Sequence, residues 1–480
     1  MFGPAPIRYD IADRDTGIGE GGIGVMRELI DAVGIADAID ERVKLLKMHA
    51  PYHESDHVLA FAFNALCGGT CIEDFELRRT NEGLLNALGI HTFPDPTTAG
   101  DFCRRFEPDS LEALMEAFNT VRATVWKKQA PDFFEQAILD ADGTIVETYG
   151  ERKEGMDISY DGQWGFHPLL VSLANTQEPL FIENRPGNRP SHEGAWHRFD
   201  QAIALVRGAG FKSVVLRGDT DFSQTRHLDR WARDEVQFVF GIDARANMVG
   251  IAEAIAMPEW SLLERPAKYE AKTGRRARRQ NHKLEAIQRR EFRHLELAEE
   301  HVAEITYRPV ACERDYRVVI VRKTINVTQG QQYLVPETRY FFYITNRTDL
   351  AAADLVFFAN DRANQEKLIT QLKSGVRSLR TPLDNLTSNW AYMVMTSFAW
   401  TLKAWLALLL PISPFWNVKH RAERQRILGM EFRTFLNGFI RIPALIVRSG
   451  RRIWYRVVAW SENLSILFRA ADALRVVRVE

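Results

Sequence analysis

The sequence contains little cysteine: four residues in 480, at positions 67, 71, 103 and 312. So low a number excludes a disulfide framework and, with no signal peptide at the N-terminus, predicts a cytoplasmic protein. Cys67 and Cys71 are separated by Gly-Gly-Thr, but no second Cys/His pair follows them. Because a zinc site needs such a pair, we expect this segment to be a turn between helices.

The chain also lacks internal repeats and low-complexity tracts. Its formal net charge is only −1. A general attraction to a polyanion is therefore not indicated. Basic residues are instead concentrated locally: residues 268–293 hold ten Lys or Arg against three Glu, and residues 411–460 hold ten against two. This uneven distribution predicts separate partner surfaces.

A long apolar run occurs at one place, residues 390–410, where Lys403 is the single charge. Its length matches that of a membrane-spanning helix, so a helical membrane-associated protein is one hypothesis. Thr396, Ser397 and Thr401 interrupt the run, and no second span is present. A helix buried behind a sheet has the same composition, and we expect no membrane partner.

The composition is that of a globular protein with enough apolar residues for large hydrophobic cores: 46% of the residues are hydrophobic and 26% are charged. The length suggests two to four domains. Residues 1–130 have the pattern of helices joined by turns, which suits a DNA-binding module or any other small helical domain. From about residue 134, strand-like segments come first and strand–helix alternation follows. This order predicts a mixed α/β fold with helices packed on a sheet.

Two aspartates follow strand-like apolar segments and precede small, turn-forming residues: Asp142 before Gly143, and Asp219 before Thr220. Carboxylates at neighbouring strand ends can converge on one point above a sheet. The ordinary alternative is turn chemistry, in which aspartate favours such positions without a catalytic role. Asp140 and Asp221, each two residues from the preferred aspartate, are rival candidates.

A third candidate carboxylate, Glu366, lies between two cations, Arg362 and Lys373. On a helix with about 100° per residue, these three positions fall within about 40° of one another. Leu368 and Leu372 point to the other side. A solvent-exposed helix face stabilised by i,i+4 ion pairs would show the same pattern.

Taken together, these residues suit metal-dependent phosphoryl transfer. Asp142, Asp219 and Glu366 would offer oxygen ligands to Mg²⁺ or Mn²⁺, which keep waters and bind substrate phosphates. Two such ions would activate the attacking oxygen and stabilise the leaving oxygen. Arg362 and Lys373 would hold a DNA strand through its phosphates.

In this order along the chain, the motifs resemble those of the DDE transposases of bacterial insertion sequences, in the branch with a Tyr-x2-Arg-x3-Glu-x6-Lys signature. Leu139-Asp140-Ala141-Asp142-Gly143-Thr144 resembles the first catalytic strand, with Asp142 at the Asp-Gly-Thr position, and the segment LRGDTDF around Asp219 resembles the second. Arg362, Glu366 and Lys373 match the third motif. Arg185-Pro186-Gly187-Asn188 resembles a further landmark of the family.

Two positions depart from the family pattern. The signature tyrosine would fall at Ala359, beside Phe357 and Phe358, and Asp221 stands where the family usually has glycine. Since that tyrosine is thought to help seat the phosphate, its loss concerns strand positioning rather than metal binding. An alternative function therefore stays open, that of a catalytically inactive, transposase-derived DNA-binding protein.

The resemblance implies a ribonuclease-H-like catalytic core, residues 131–243 and 341–410, split by a β-rich basic insertion at residues 244–340. A helical DNA-binding domain, residues 1–130, and a helical basic region, residues 411–480, would flank it. The resemblance also implies cut-and-paste transposition, with cleavage of double-stranded DNA at the element's terminal repeats and strand transfer into target DNA. The enzyme would act as a homodimer on DNA in the bacterial nucleoid.

Both basic segments then have expected roles. In the insertion, the residues predicted to contact the DNA backbone are Arg275, Arg276, Arg278 and Arg279. Affinity would then depend on salt, whereas a solvated arginine-rich helix is the alternative. The C-terminal segment is expected to contact DNA or the partner subunit, through Arg448, Arg451, Arg452, Trp454 and Arg456.

Overall fold

The computed structural model describes residues 16–150, 152–265, 293–329, 332–333, 335–449 and 452–476. The chain forms two compact units, which we call unit 1 (Met1–Lys212 and Asn364–Glu480) and unit 2 (Ser213–Ala363). The four domains predicted from the sequence have other boundaries than these two units, and they stay a prediction. Each unit is described separately below.

Helices dominate the N-terminal part of unit 1. Its elements are strand β1 (Thr16–Ile18) and helices α1 (Ile23–Val33), α2 (Ile35–Arg42), α3 (Glu54–Leu66), α4 (Phe75–Arg79), α5 (Glu82–Leu88), α6 (Pro96–Arg104) and α7 (Pro108–Lys127). Helix α6 starts where Asp95 accepts a hydrogen bond of 2.9 Å from the backbone N–H of Thr98. With a proline at the first helical position, this is a strong N-terminal signal.

A sheet and one long helix follow in unit 1. The elements are β2 (Gln136–Gly143), β3 (Val146–Glu147), β4 (Asp157–Ile158), β5 (Trp164–Phe166), β6 (Leu169–Leu173), β7 (Glu178–Glu183) and α8 (Ala195–Ala209). Strands β2, β6 and β7 pair antiparallel in that order, and Asp142 on β2 is paired with Leu170 on β6. Strand β6 is buried along its whole length, as expected for a strand covered on both faces.

Unit 2 is a mixed sheet with helices packed against it. Its elements are β8 (Ser213–Gly218), α9 (Leu228–Arg233), β9 (Gln237–Ile242), α10 (Ala246–Glu253), β10 (Ser261–Leu262), β11 (Arg293–Tyr307), β12 (Tyr316–Gln329), β13 (Gln332–Tyr333), β14 (Glu337–Thr345) and α11 (Ala352–Asn360). The sheet order is β10-β11-β12-β14-β9-β8, and β13 pairs with β12. Strands β8 and β9 are parallel, whereas the other pairs in this unit are antiparallel. The prediction of a mixed α/β class is confirmed.

The C-terminal part of the chain returns to unit 1. Its elements are α12 (Ala363–Thr370), α13 (Leu386–Leu409), α14 (Asn417–Leu428), α15 (Phe432–Phe435), β15 (Ala444–Ser449), β16 (Arg452–Val457) and α16 (Leu464–Val476). The prediction of a helical region at residues 411–480 is wrong where β15 and β16 form an antiparallel pair. Exposed and half-buried side chains alternate along β16, which is the period of a strand rather than a helix. Strand β1, from the other end of the chain, pairs with β15.

Helix α13 contains the apolar run noted in the sequence. Length and composition would let this one helix, among the residues described, cross a membrane, but 94% of its most apolar window is buried inside the protein. A helix that is apolar all round is typical of a large core as well as of a membrane span. The burial favours the core interpretation, as expected from the sequence.

A buried carboxylate joins this helix to the rest of unit 1. Glu178, at the start of β7, is completely buried. It accepts hydrogen bonds from Arg122 on α7 (3.0 Å), from the indoles of Trp126 (2.9 Å) and Trp405 (2.8 Å), and from Thr176 (2.6 Å). A buried charge that is fully paired in this way costs far less than an unpaired one.

Candidate active site

Asp142 is the second-last residue of a strand and does not follow the strand. Strand β2 continues through Asp142 and ends at Gly143, whereas the sequence predicted that Asp142 follows the strand. Asp140 and Asp142, two residues apart, point to the same face of the sheet. Asp140 is only 1% exposed, while Asp142 is half-buried. Of the two, Asp142 is therefore the more accessible to a ligand.

The landmark residue Arg185 supports the end of this strand. Its buried guanidinium donates hydrogen bonds to the backbone carbonyls of His167 (3.0 Å) and Ser191 (3.2 Å). A Cβ placed on Gly143 would lie 2.7 Å from His167 Nε2 and 3.2 Å from Ser191 Cα. Glycine beside Asp142 is thus required by the close approach of the segments that Arg185 holds.

Asp219 directly follows β8, as predicted, and lies in unit 2 beside a signature cation. Its Oδ1 accepts the backbone N–H of Asp221 at 3.0 Å, and its Oδ2 lies 3.7 Å from Nη2 of Arg362. Burial raises the pKa of Asp219, and the nearby charges of Asp221 and Asp243 raise it further, whereas Arg362 lowers it. The rival Asp221 is exposed.

A buried arginine that the sequence analysis missed ties β8 to α11. Arg217, 3% exposed, donates a hydrogen bond of 2.8 Å to the carbonyl of Phe358, and its guanidinium lies 4.8 Å from the centre of that ring. This contact fixes the end of α11, from which the chain turns to Arg362, relative to the strand that precedes Asp219. In the sequence, the only indication of a buried arginine was that Arg217 directly follows the apolar run Val214–Leu216.

The third motif does not form the single continuous helix that the sequence predicted. Helix α11 ends at Asn360, the chain turns at Asp361–Arg362, α12 spans Ala363–Thr370, and Gln371–Gly375 is a π-helical turn. A wider π turn changes the direction of the residues on it, so an argument from 100° per residue fails for Lys373. Leu368 and Leu372 are buried, as predicted.

Glu366 lies on a helix that is docked against the strand beside Asp142. The preceding residue, Gln365, is buried; it accepts a hydrogen bond from the Ser172 hydroxyl and donates one of 3.3 Å to the Leu170 carbonyl. Leu170 is the cross-strand partner of Asp142. Glu366 itself is exposed, so its carboxylate is accessible from solvent.

Lys373 lies beside the segment that follows Asp142. Its Nζ donates a hydrogen bond of 2.6 Å to the carbonyl of Ile145. Burial lowers the pKa of Lys373, and the negative charges of Glu147 and Asp142 oppose this shift. A lysine ammonium has three donors, so the contact with Ile145 leaves capacity for a phosphate oxygen.

The three candidate ligands suit a divalent cation by their chemistry. Each is a carboxylate, the donor that Mg²⁺ and Mn²⁺ prefer. Around Asp219, Arg362 opposes the negative charges of Asp221 and Asp243. Within the described parts of the chain, no three His, Cys, Asp or Glu side chains lie close enough together to hold a metal ion. The support for a bound metal ion is therefore the carboxylate chemistry of the three residues and not a preformed cluster of ligands.

Most of the predicted basic contacts fall in segments about which the structure says nothing. The four arginines Arg275, Arg276, Arg278 and Arg279 lie outside the described residues. In the C-terminal segment, Arg451 and the side chain of Arg448 are likewise not described. The remaining members lie on one face of β16 and are exposed: Arg452, Trp454 and Arg456.

Comparison with known proteins places the chain in a family. No curated protein sequence matches it. A solved structure to which it is similar is the cryo-EM structure of the piggyBac transposase synaptic complex with hairpin DNA, at a TM-score of 0.36 and 8% identity over 87% of this chain and 88% of that chain. The family model described as "Transposase DDE domain group 1" matches residues 18–478, and the chain therefore belongs to this transposase family.

Proposed function

We propose that the protein is an active DNA transposase that cuts the ends of its own element and joins them to target DNA. Family membership supports transposase function in general; activity and route are what we propose. The observation that carries the proposal is the placement of the signature cations: Arg362 lies beside Asp219, and Lys373 lies beside the segment after Asp142.

This placement is what a phosphate-handling site needs. In unit 2, Arg362 approaches Asp219; in unit 1, Lys373 approaches Ile145 and feels the charge of Asp142. Each predicted catalytic aspartate therefore has a cation of the third motif as its neighbour. A surface helix with incidental charges would have its cations in solvent, away from both aspartates.

The proposed reaction has two steps of the same kind. In the first, a water oxygen attacks the phosphorus at the element's end, the P–O3′ bond breaks, and the departing 3′ oxygen gains a proton. In the second, the freed 3′-hydroxyl attacks a phosphodiester of the target DNA, forming one P–O bond while another breaks. Divalent ions, which this family generally uses, would supply charge stabilisation for the attacking and leaving oxygens.

Within this proposal, the residues of the chain have distinct roles. Asp142, Asp219 and Glu366 would hold the ions, while Arg362 and Lys373 would bind phosphate oxygens. The burial of Asp140 supports Asp142 as the ligand of that pair. Double-stranded DNA and a second copy of the chain are the proposed partners, with the arginines at 275, 276, 278 and 279 on the DNA backbone.

The test is Mg²⁺-dependent nicking of a DNA duplex that carries the terminal repeats flanking the element. Wild type should nick next to the repeat, whereas Asp142→Ala, Asp219→Ala and Glu366→Ala should each lose at least a hundredfold in rate. Asp221→Ala is the matched control, because it removes an exposed aspartate two residues from Asp219 and should keep activity.

Two outcomes would contradict the proposal in different ways. If the three alanine variants cut as fast as wild type, the assignment of the ligands is wrong. If wild type binds the terminal repeats tightly but does not cut them with Mg²⁺ or Mn²⁺, the protein is a DNA-binding descendant of a transposase.

A further inference from the structure

The signature position at Ala359 lacks a hydroxyl, but a tyrosine packs against the same hydrophobic cluster as Ala359. Ala359 is half-buried and packs against a core cluster in unit 2 whose members are Val239, Leu263, Val302, Val319, Val321, Leu355 and Val356. Tyr343 on β14 packs against the same cluster. A phenol is therefore present in this region, but it comes from the sheet and not from helix α11.

Strand register places Tyr343 on the face of the sheet that meets Asp219. Tyr343 is paired with Gly241 on β9, and directly opposed residues of an antiparallel pair share a face. A Cβ placed on Gly241 would lie 2.9 Å from the backbone nitrogen of Thr220 and 3.1 Å from the carbonyl carbon of Asp219. One strand, β9, thus separates Tyr343 on β14 from β8, the strand that Asp219 follows.

The hydroxyl of Tyr343 points towards the turn that carries Arg362. It donates a long hydrogen bond of 3.4 Å to Oδ1 of Asn360, two residues before Arg362. Burial raises the pKa of Tyr343, and the positive charges of Arg265 and Arg362 oppose this shift. A hydrogen bond of this length is weak, so the hydroxyl can exchange Asn360 for a charged oxygen, which is a stronger acceptor.

The other aromatic residues near Ala359 cannot take this role. Phe357 and Phe358 have no hydroxyl, and the guanidinium groups of Arg217 and Arg347 each lie 4.8 Å from the centre of the Phe358 ring. Tyr340, three residues from Tyr343 along β14, points to the opposite face of the sheet.

We propose that Tyr343 supplies the hydroxyl that Ala359 lacks, and that it binds, together with Arg362, a phosphate of the DNA strand to be cut. The inference rests on the proposed function, since it assigns a further residue to the same site. The phenol would reach the phosphate from strand β14. Tyr343 lies outside the sequence motif around Arg362 and Glu366, so the motif alone does not identify it.

Tyr343→Phe removes the hydroxyl and keeps the ring in the core. With duplexes that carry the terminal repeats, nicking by this variant should fall about tenfold to a hundredfold, the range for a hydrogen bond to a charged group. Tyr340→Phe, on the opposite face of the same strand, is the matched control and should cut like wild type. Equal thermal unfolding of the two variants would exclude a stability effect.

A second measurement reports the phosphate contact without cutting. Replacing single phosphates near the cleavage site by uncharged methylphosphonates should weaken binding by wild type at one position, and Tyr343→Phe should lose that dependence. In the Tyr343→Phe background, Ala359→Tyr should restore part of the lost activity, because it returns a phenol to the signature position.

The inference is overturned if Tyr343→Phe cuts within twofold of wild type, or if both proteins respond alike to every methylphosphonate. In either case the proposed function stands, because wild type still cuts. If wild type does not cut at all, the proposed function fails alone, since the binding comparison still tests the contact between Tyr343 and phosphate.

Discussion

Arg362 and Asp219 form an ion pair in unit 2, with 3.7 Å between Nη2 and Oδ2. One comes from the turn between two helices and the other from the end of a strand, so their contact brings two sequence motifs together. The pair is partly exposed, with 36% of the Asp219 side chain accessible. Such a pair contributes little to stability.

Removal of Arg362 should separate these two effects. Arg362→Ala is expected to lower the free energy of unfolding by less than about 1 kcal/mol, while DNA nicking falls about tenfold to a hundredfold with the loss of a charged phosphate contact. Chemical denaturation and a nicking assay measure the two quantities. Arg245→Ala is the control, since Arg245 and Asp243 form an exposed pair at the same distance of 3.7 Å. Equal nicking by both variants would show that Arg362 has no special role.

Gly241 should be sensitive to the smallest possible enlargement. Gly241→Ala places a methyl group against the backbone of Thr220 and Asp219, at 2.9 and 3.1 Å, so the loop carrying Asp219 has to move. We expect a stability loss of about 1–3 kcal/mol and a loss of nicking larger than the stability change explains. In contrast, Gly250→Ala on helix α10 meets no atom within 4 Å and should stabilise the protein by about 0.5–1 kcal/mol. Normal nicking by Gly241→Ala would mean that the loop position is not critical.

The buried Glu178 network should dominate the stability of unit 1. In Glu178→Gln, the guanidinium of Arg122 keeps its charge without a counter-charge, and this should cost about 3–5 kcal/mol, measured by urea denaturation. Glu183→Gln is the comparison, because its partner Arg198 still binds Glu112 at 2.6 Å. That variant should lose no more than about 1 kcal/mol. A small effect of Glu178→Gln would indicate that the amide pairs equally well with its donors.

Lys403 should make the stability of the protein depend on pH above neutrality. It is fully buried in α13 and donates hydrogen bonds to the carbonyls of Leu428 (2.9 Å) and Met430 (2.6 Å). Burial lowers its pKa from 10.5 to about 7. Between these values the unfolded chain binds a proton that the folded chain does not, so stability rises with pH, by at most about 1.4 kcal/mol per pH unit.

Lys403→Met isolates this contribution. The variant leaves both carbonyls without their donor, which should cost about 1–3 kcal/mol, and it removes the titrating group. Thermal unfolding at pH 7 and pH 9 should therefore show wild type gaining stability relative to the variant as the pH rises. If the difference between the two proteins is constant with pH, the lysine keeps an ordinary pKa in the folded state.

Several features of the candidate site were predictable because they depend on local pattern. The strand before Asp219 and the burial of Leu368 and Leu372 both follow from apolar periodicity. The direction of Lys373 was not predictable, because the π turn at Gln371–Gly375 depends on what the helix packs against. The strand pair β15–β16 was missed because the basic composition of the region masked its alternating pattern.

The amino-acid order thus predicts the candidate transposase motifs and the mixed α/β class, since residue types, spacing and apolar periodicity are properties of a linear chain. It cannot show that Arg217 holds the end of α11, or that Gly241 has to be small, because these depend on backbones brought together by strand pairing. The same reason applies to Tyr343. The motif shows a missing hydroxyl at Ala359, but only the register of β14 against β9 shows that Tyr343 lies on the same face of the sheet as Gly241, and register arises from the packing of the whole sheet.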